Sequence, residues 1–220
     1  MKLNSFLSLL QISDSALPIG TYSHSFGFET LVQEGELNDA FTVERSLKAF
    51  LRAQILPTEA AAASLGFRAQ KCADLNLFKR LNERLTAMRW TPETLQASLA
   101  LGKRLNELAG KLSLNLELPE MELHHCALFG WLSACLDAEH EFAAAAYVQS
   151  NIFSLVSACV RLIPLGHTEG QQIIASLRAE ISMELSSYLS LELEDLGGFA
   201  PLAEFASVKH EQLYSRLCQS

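Results

Sequence analysis

Between Thr168 and Gly198 the chain reads TEGQQIIASLRAEISMELSSYLSLELEDLGG. Its apolar residues Ile173, Ile174, Leu177, Ile181, Leu185, Leu189 and Leu193 recur every three or four positions. That is the period of one face of an α-helix, not the alternation of a strand. The pattern predicts a helix over 169–195, with Thr168 as N-cap and Gly197-Gly198 as its stop.

The same period extends in both directions. Thr91-Pro92 places a cap before a first-turn proline and opens a helix to about Leu112. Pro57, Pro119 and Pro164 are expected to punctuate the others. Helices are predicted near 4–13, 25–34, 42–55, 58–71, 74–88, 92–112, 120–137, 141–162, 169–195 and 201–206. No β-branched run of period two is long enough for a strand, and no internal repeat is visible. The fold class is all-α, a single-domain bundle of about ten helices over 1–220. Its last stretch, 207–220, is read as a tail free to flex and to bind a partner.

Composition limits what such a bundle can do. Apolar residues make up 49 % of the 220 and charged residues 19 %, enough for a sizeable core. Seventeen basic residues against 25 acidic give a net charge of −8, which argues against nucleic-acid binding. The five cysteines form no C-x-x-C pair and no signal peptide is visible, so the expected compartment is the reducing cytoplasm. Phe142 to Val160 carries no charge and is about long enough to cross a bilayer. Gln149, Ser150, Asn151, Ser154 and Ser157 interrupt it, so it reads as a buried central helix and not as a membrane span.

Familiar chemistry is mostly missing. Gly102-Lys103 is followed by Arg104 and lacks the upstream glycine of a phosphate loop, so no nucleotide hydrolysis is expected. The di-iron pattern, Glu-x-x-His on two helices, is not met. Glu180 and Glu184 share a helix face and read as a solvated acidic strip. Adjacent positions in His124-His125-Cys126 diverge by about 100° on a helix, giving two ordinary histidines and a buried thiol instead of a metal site. In Ser23-His24-Ser25 the side chains point apart, which suits hydrogen bonds that pin a loop better than a nucleophile and base. His210-Glu211 offers a local salt bridge or a partner surface. Arg216 could dock on a carboxylate or act as an arginine finger. No catalytic residue is assigned, and the chain is not read as an enzyme.

Two segments do not follow the helical period, and both are signatures. Leu17-Pro18-Ile19-Gly20-Thr21-Tyr22-Ser23-His24-Ser25-Phe26-Gly27-Phe28-Glu29-Thr30 resembles the N-terminal signature of the urease accessory protein F family (UreF), with Phe28 where the family usually has leucine. His210-Glu211, then Leu213-Tyr214-Ser215-Arg216-Leu217, is similar to its C-terminal signature; Cys218 and Gln219 depart from the usual phenylalanine and arginine. Arg161-Leu162-Ile163-Pro164-Leu165-Gly166 resembles an internal turn of the family, with His167 in place of glutamine, and Ala97-Ser98, Leu101-Gly102 and Arg104-Leu105 are also similar. The likeness runs collinearly over the whole chain.

The resemblance implies an all-α homodimer that bridges a D-type (also called H-type) scaffold and a G-type GTPase. That assembly acts on apo-urease, where a lysine is carbamylated and nickel inserted. No cofactor is expected to bind this chain tightly, nickel being handled by the assembly, and no metal ligands are assigned. The implied partner-binding residues are Pro18, Gly20, Tyr22, His24, Phe26 and Glu29 at one end, and His210, Glu211, Tyr214, Arg216 and Leu217 at the other. An alternative role is activation of the GTPase through a charged residue such as Arg216.

Overall fold

The computed structural model describes every residue except 113, 115–117, 119 and 220, so Pro119 and Ser220 lie outside the described residues. Asp39 opens a long rod: its carboxylate accepts the Thr42 N–H at 2.8 Å, and the Thr42 hydroxyl reaches back to the Asp39 N–H. From this capping box α3 (Ala40–Phe50) runs through Leu51–Ala60 into α4 (Ala61–Lys71) with helical dihedrals at both joins.

Pro57, expected as a break, sits inside this rod. Proline lacks an N–H and its ring crowds the carbonyl one turn back. The Leu51–Ala60 stretch widens into a π-helix, which relieves that crowding without ending the helix. Gly197 then donates its N–H to the Pro57 carbonyl at 3.3 Å.

The remaining helices are α1 (Leu3–Ser13), α2 (Phe28–Gln33), α5 (Leu75–Met88), α6 (Pro92–Lys111), α7 (His125–Cys135), α8 (His140–Leu162), α9 (His167–Glu184), α10 (Ser186–Leu189) and α11 (Pro201–His210). No strand occurs among the described residues. The fold is all-α, as the period predicts.

Boundaries differ where local chemistry competes with the period. Gly166, not Thr168, caps α9: the Glu169 carboxylate accepts the Gly166 N–H at 2.8 Å. The helix predicted to Asp195 halts at Glu184 and resumes only for α10. Ser64 donates to the Leu189 carbonyl and Arg68 to that of Leu191, drawing the chain off the helical path. The stripe itself holds, with Ile173, Ile174, Leu177, Ile181, Leu185 and Leu193 all buried. The helix predicted from 120 begins at His125, and α11 runs on to His210, past the predicted end at 206.

The acidic strip on α9 is not simply solvated. Glu180 and Glu184 face Arg52 at 3.3 and 3.0 Å, and Glu180 also faces Lys48, so they clamp α9 to the rod.

Two hydrophobic clusters fill the interior. One gathers α4, α5, α6 and α7; the other gathers α2, α3, the π-helical stretch and α9. The rod and α8 contribute to both. α8 is long and apolar enough to cross a membrane by length and composition, but more than half of its apolar window is buried inside the molecule. At the centre of the first cluster α4 and α7 touch backbone to backbone. A Cβ on Gly130 would stand 1.8 Å from the Ala63 carbonyl oxygen, and one on Gly66 2.2 Å from that of Ala127.

Candidate functional site

The segment from Leu17 to Gly27 is held by its polar groups. Ser23 donates its hydroxyl to the Gly20 carbonyl at 2.7 Å, and the Ser25 hydroxyl accepts the Glu29 N–H at 3.3 Å. Arg161 donates to the Tyr22 carbonyl at 2.6 Å, tying the last turn of α8 to this loop. Arg104 donates to the Ile19 carbonyl at 3.1 Å. Gly20 has φ +90°, and a Cβ there would meet the Arg104 guanidinium at 2.3 Å. Gly27, at φ +88°, lets α11 cross so closely that a Cβ would lie 2.6 Å from the Ala203 carbonyl oxygen. Gly27 therefore requires glycine twice over, for dihedral and for space against backbone, and Gly20 for its dihedral, since the end of the Arg104 side chain can shift.

Glu29 then joins the two ends of the chain. It lies in the first turn of α2 and is 1 % exposed. One carboxylate oxygen accepts the Leu217 N–H at 2.7 Å; the other accepts the Cys218 N–H at 2.9 Å and faces His210 Nε2 at 3.0 Å. The far ring nitrogen of His210 faces Glu93 on α6 at 3.1 Å. Burial alone would raise the Glu29 pKa. The Leu217 amide, the His210 ring and the Cys218 amide outweigh it and hold the carboxylate below its ordinary value. Around this centre Thr30 donates to the Ala206 carbonyl at 2.8 Å, Gln33 to that of Ser215 at 3.0 Å, and the Gln219 N–H to that of Ser23 at 2.6 Å.

The structure thus brings the two signature segments together and sorts their residues. Pro18, Tyr22, Glu211, Tyr214, Arg216 and Leu217 are exposed; Gly20 and Phe26 are half-buried. His24, Glu29 and His210 are buried and shape the surface from beneath. His210 forms no local pair with Glu211 but a long-range one with Glu29 and Glu93. Burial, with the Arg104 charge added, pulls the His24 pKa down to about 4, so its ring is neutral near pH 7. Arg216 edges an open groove of about 460 Å³ together with Glu93 and Glu211. In the tail, Glu211, Tyr214 and Arg216, all exposed, put an acid, an aromatic ring and a base within one short stretch.

His124 and His125 are internal. Ser98 and Thr86 hydroxyls flank the His124 ring at 2.9 and 3.0 Å, and burial lowers its pKa to about 3. Burial lowers His125 to about 4 and raises the Cys126 thiol well above its ordinary value. No group of three or more His, Cys, Asp or Glu among the described residues could hold a metal ion.

A second polar centre is invisible to motif reading. Arg89 pairs with Glu59 at 2.5 Å, with the Tyr147 hydroxyl donating to the other Glu59 oxygen at 3.1 Å. Beside them lies a cavity of about 40 Å³, with His125 and Glu204 also in its wall. That is room for a few waters and nothing larger. The one sequence signal was a lone acid, Glu59, within the apolar run Ile55 to Ala63.

Comparison with known proteins agrees with this architecture. The UreF family model matches residues 37–178. The urease accessory protein UreF of Nostoc sp. (strain PCC 7120 / SAG 25.82 / UTEX 2576) is 34 % identical over 224 residues, covering 98 % of this chain and 96 % of the relative. That of Bacillus sp. (strain TB-90) is 31 % identical over 227 residues, covering 99 % and 100 %. That of Geobacillus kaustophilus (strain HTA426) is 31 % identical, with 97 % of each chain covered. A helical chain whose two signature ends close on Glu29, and whose full length aligns with these proteins, belongs to the UreF family of urease accessory proteins.

Proposed function

We propose that this chain is a non-catalytic bridging subunit in urease maturation, working as a homodimer in the cytoplasm. It joins a D/H-type scaffold to a G-type GTPase and promotes lysine carbamylation and nickel insertion in apo-urease. The observation that carries the reading is the convergence of loop 17–27 and tail 211–219 on Glu29. It brings together two segments that carry the exposed residues Tyr22, in a single 3-10 turn (Thr21–Ser23), and Tyr214, Arg216 and Leu217, in the non-helical tail. Aromatic rings and an arginine at such a rim are the usual anchors of a protein interface.

Substituting Arg216→Ala tests the bridge. Losing a charge-assisted hydrogen bond should weaken scaffold binding by about 10- to 150-fold, or roughly 1.5–3 kcal/mol. A pull-down with the D-type partner reads that directly. A single-turnover GTPase assay on the same variant reads the other role, since an activating arginine is worth about 10³–10⁵ in rate. Unchanged scaffold binding by both Arg216→Ala and a chain truncated after Ser207 would refute the docking surface. A light-scattering mass of one chain, 24.2 kDa, would refute the dimer.

A further inference from the structure

We propose that the C-terminal tail is latched by a proton shared among Glu29, His210 and Glu93, so that rising pH releases it. A neutral imidazole has one N–H, and a carboxylate has none. Here both ring nitrogens of His210 face carboxylate oxygens, Nε2 at 3.0 Å from Glu29 and Nδ1 at 3.1 Å from Glu93. Both contacts can be hydrogen bonds only if the trio carries one proton beyond a neutral ring and two carboxylates. His210 is fully buried and Glu29 nearly so, which makes a contact left without its proton costly.

Loss of that proton turns one contact into a lone pair against a carboxylate. The simplest relief is to open the latch, because Glu29 is also the acceptor for the Leu217 and Cys218 amides. No surrounding side chain other than the two carboxylates is hydrogen-bonded to the ring. From α2 comes Glu29, with Glu34 just past its end; from α6, Glu93; from α11 itself, Glu204 and Lys209, the latter paired with Glu34. The loop contributes His24, already neutral, and the tail contributes Cys218, whose thiol burial pushes upward. Arg161 of α8 stands by Cys218, while Glu211 and Arg216 line the open groove beside Glu93. The sign follows: a proton bound only in the latched state favours latching at low pH, and that preference is lost as pH rises.

The latch is a property of the chain alone; that its opening exposes or withdraws a partner surface rests on the function proposed above. Cys218 is 5 % exposed and reports the tail, while exposed Cys72 reports the intrinsic pH dependence of thiol labelling. The full-length protein is labelled with a maleimide between pH 5.5 and 8.5, and the ratio of rates at Cys218 and Cys72 is followed. The ratio should rise up to about tenfold per pH unit across the release range, the slope of a one-proton linkage. In Glu93→Gln the neutral amide can satisfy an unprotonated ring, so the ratio should stay low and flat. A flat ratio in the parent protein, or the same slope in Glu93→Gln, overturns the proposal. These readouts need no partner, so they fail or succeed separately from the docking experiment.

Discussion

Replacing Arg89 by methionine removes one half of the Glu59–Arg89 pair while keeping much of its apolar stem. The two side chains are 9 % and 13 % exposed and meet at 2.5 Å. In the parent, burial would raise the Glu59 pKa, but the charge and hydrogen bond of Arg89 outweigh it and hold it below its ordinary value. Without Arg89 the burial cost stands almost alone, opposed by hydrogen bonds from the Tyr147 hydroxyl and the Cys126 thiol. Breaking a buried pair from one side costs about 3–5 kcal/mol. With a urea m-value of about 3 kcal/mol/M, that is a midpoint shift of about 1–1.7 M at pH 7.5. The sign with pH is also fixed. In the parent the depressed carboxylate contributes stability above its unfolded pKa and loses it only as pH falls through the lower folded value. In the variant the folded pKa lies above the unfolded one, so the penalty grows as pH rises and fades as pH falls. The deficit should therefore shrink between pH 7.5 and pH 5, by up to about 1.4 kcal/mol per unit. Urea titrations followed by circular dichroism at the two pH values decide it. A deficit under about 1 kcal/mol at pH 7.5, or one that does not change with pH, would refute this electrostatic account.

Two further outcomes follow from backbone contacts. Gly130→Ala forces α4 and α7 apart at a point where a Cβ has only 1.8 Å of room, and should cost about 1–3 kcal/mol, read as a fall in melting temperature. Glu29→Gln leaves one oxygen for two tail amides and the histidine, and should speed tryptic cleavage after Arg216 at least about tenfold with the helical signal unchanged; equal cleavage rates would contradict the anchoring role.

The helical class was legible because the stripe from Ile173 to Leu193 records burial directly, and burial is what the period encodes. Helix ends were harder. The end of α10 at Leu189, short of the predicted Asp195, depends on Ser64 and Arg68, which lie far back in the chain and take the carbonyls of Leu189 and Leu191. Pro57 misled for a related reason: its local preference is to break a helix, and a π-helical stretch in a packed rod absorbs it. At the candidate site, the residues of both signatures were identifiable from the resemblance, but not their division into exposed and buried. That division hangs on Glu29, whose three acceptor contacts all reach to residues beyond 209. No spacing rule relates such distant positions. The Glu59–Arg89 pair escaped for the same reason.

The rod from Ala40 to Lys71 also constrains how the molecule comes apart. Val43, Leu47, Leu51 and Ile55 belong to one hydrophobic cluster, and Ala61, Leu65 and Phe67 to the other. α8 is shared in the same way, with Val148 and Ile152 in one cluster and Ala143 and Tyr147 in the other. Neither cluster can melt without stripping apolar cover from a helix that continues into its neighbour. Opening either half thus exposes part of the other, and the two should exchange their backbone amide hydrogens as one slow cooperative unit. Against that unit the tail, held by a few polar contacts to Glu29, Gln33 and Ser23, should exchange faster as a separate element. The chain can then rearrange its rim many times for each opening of its interior.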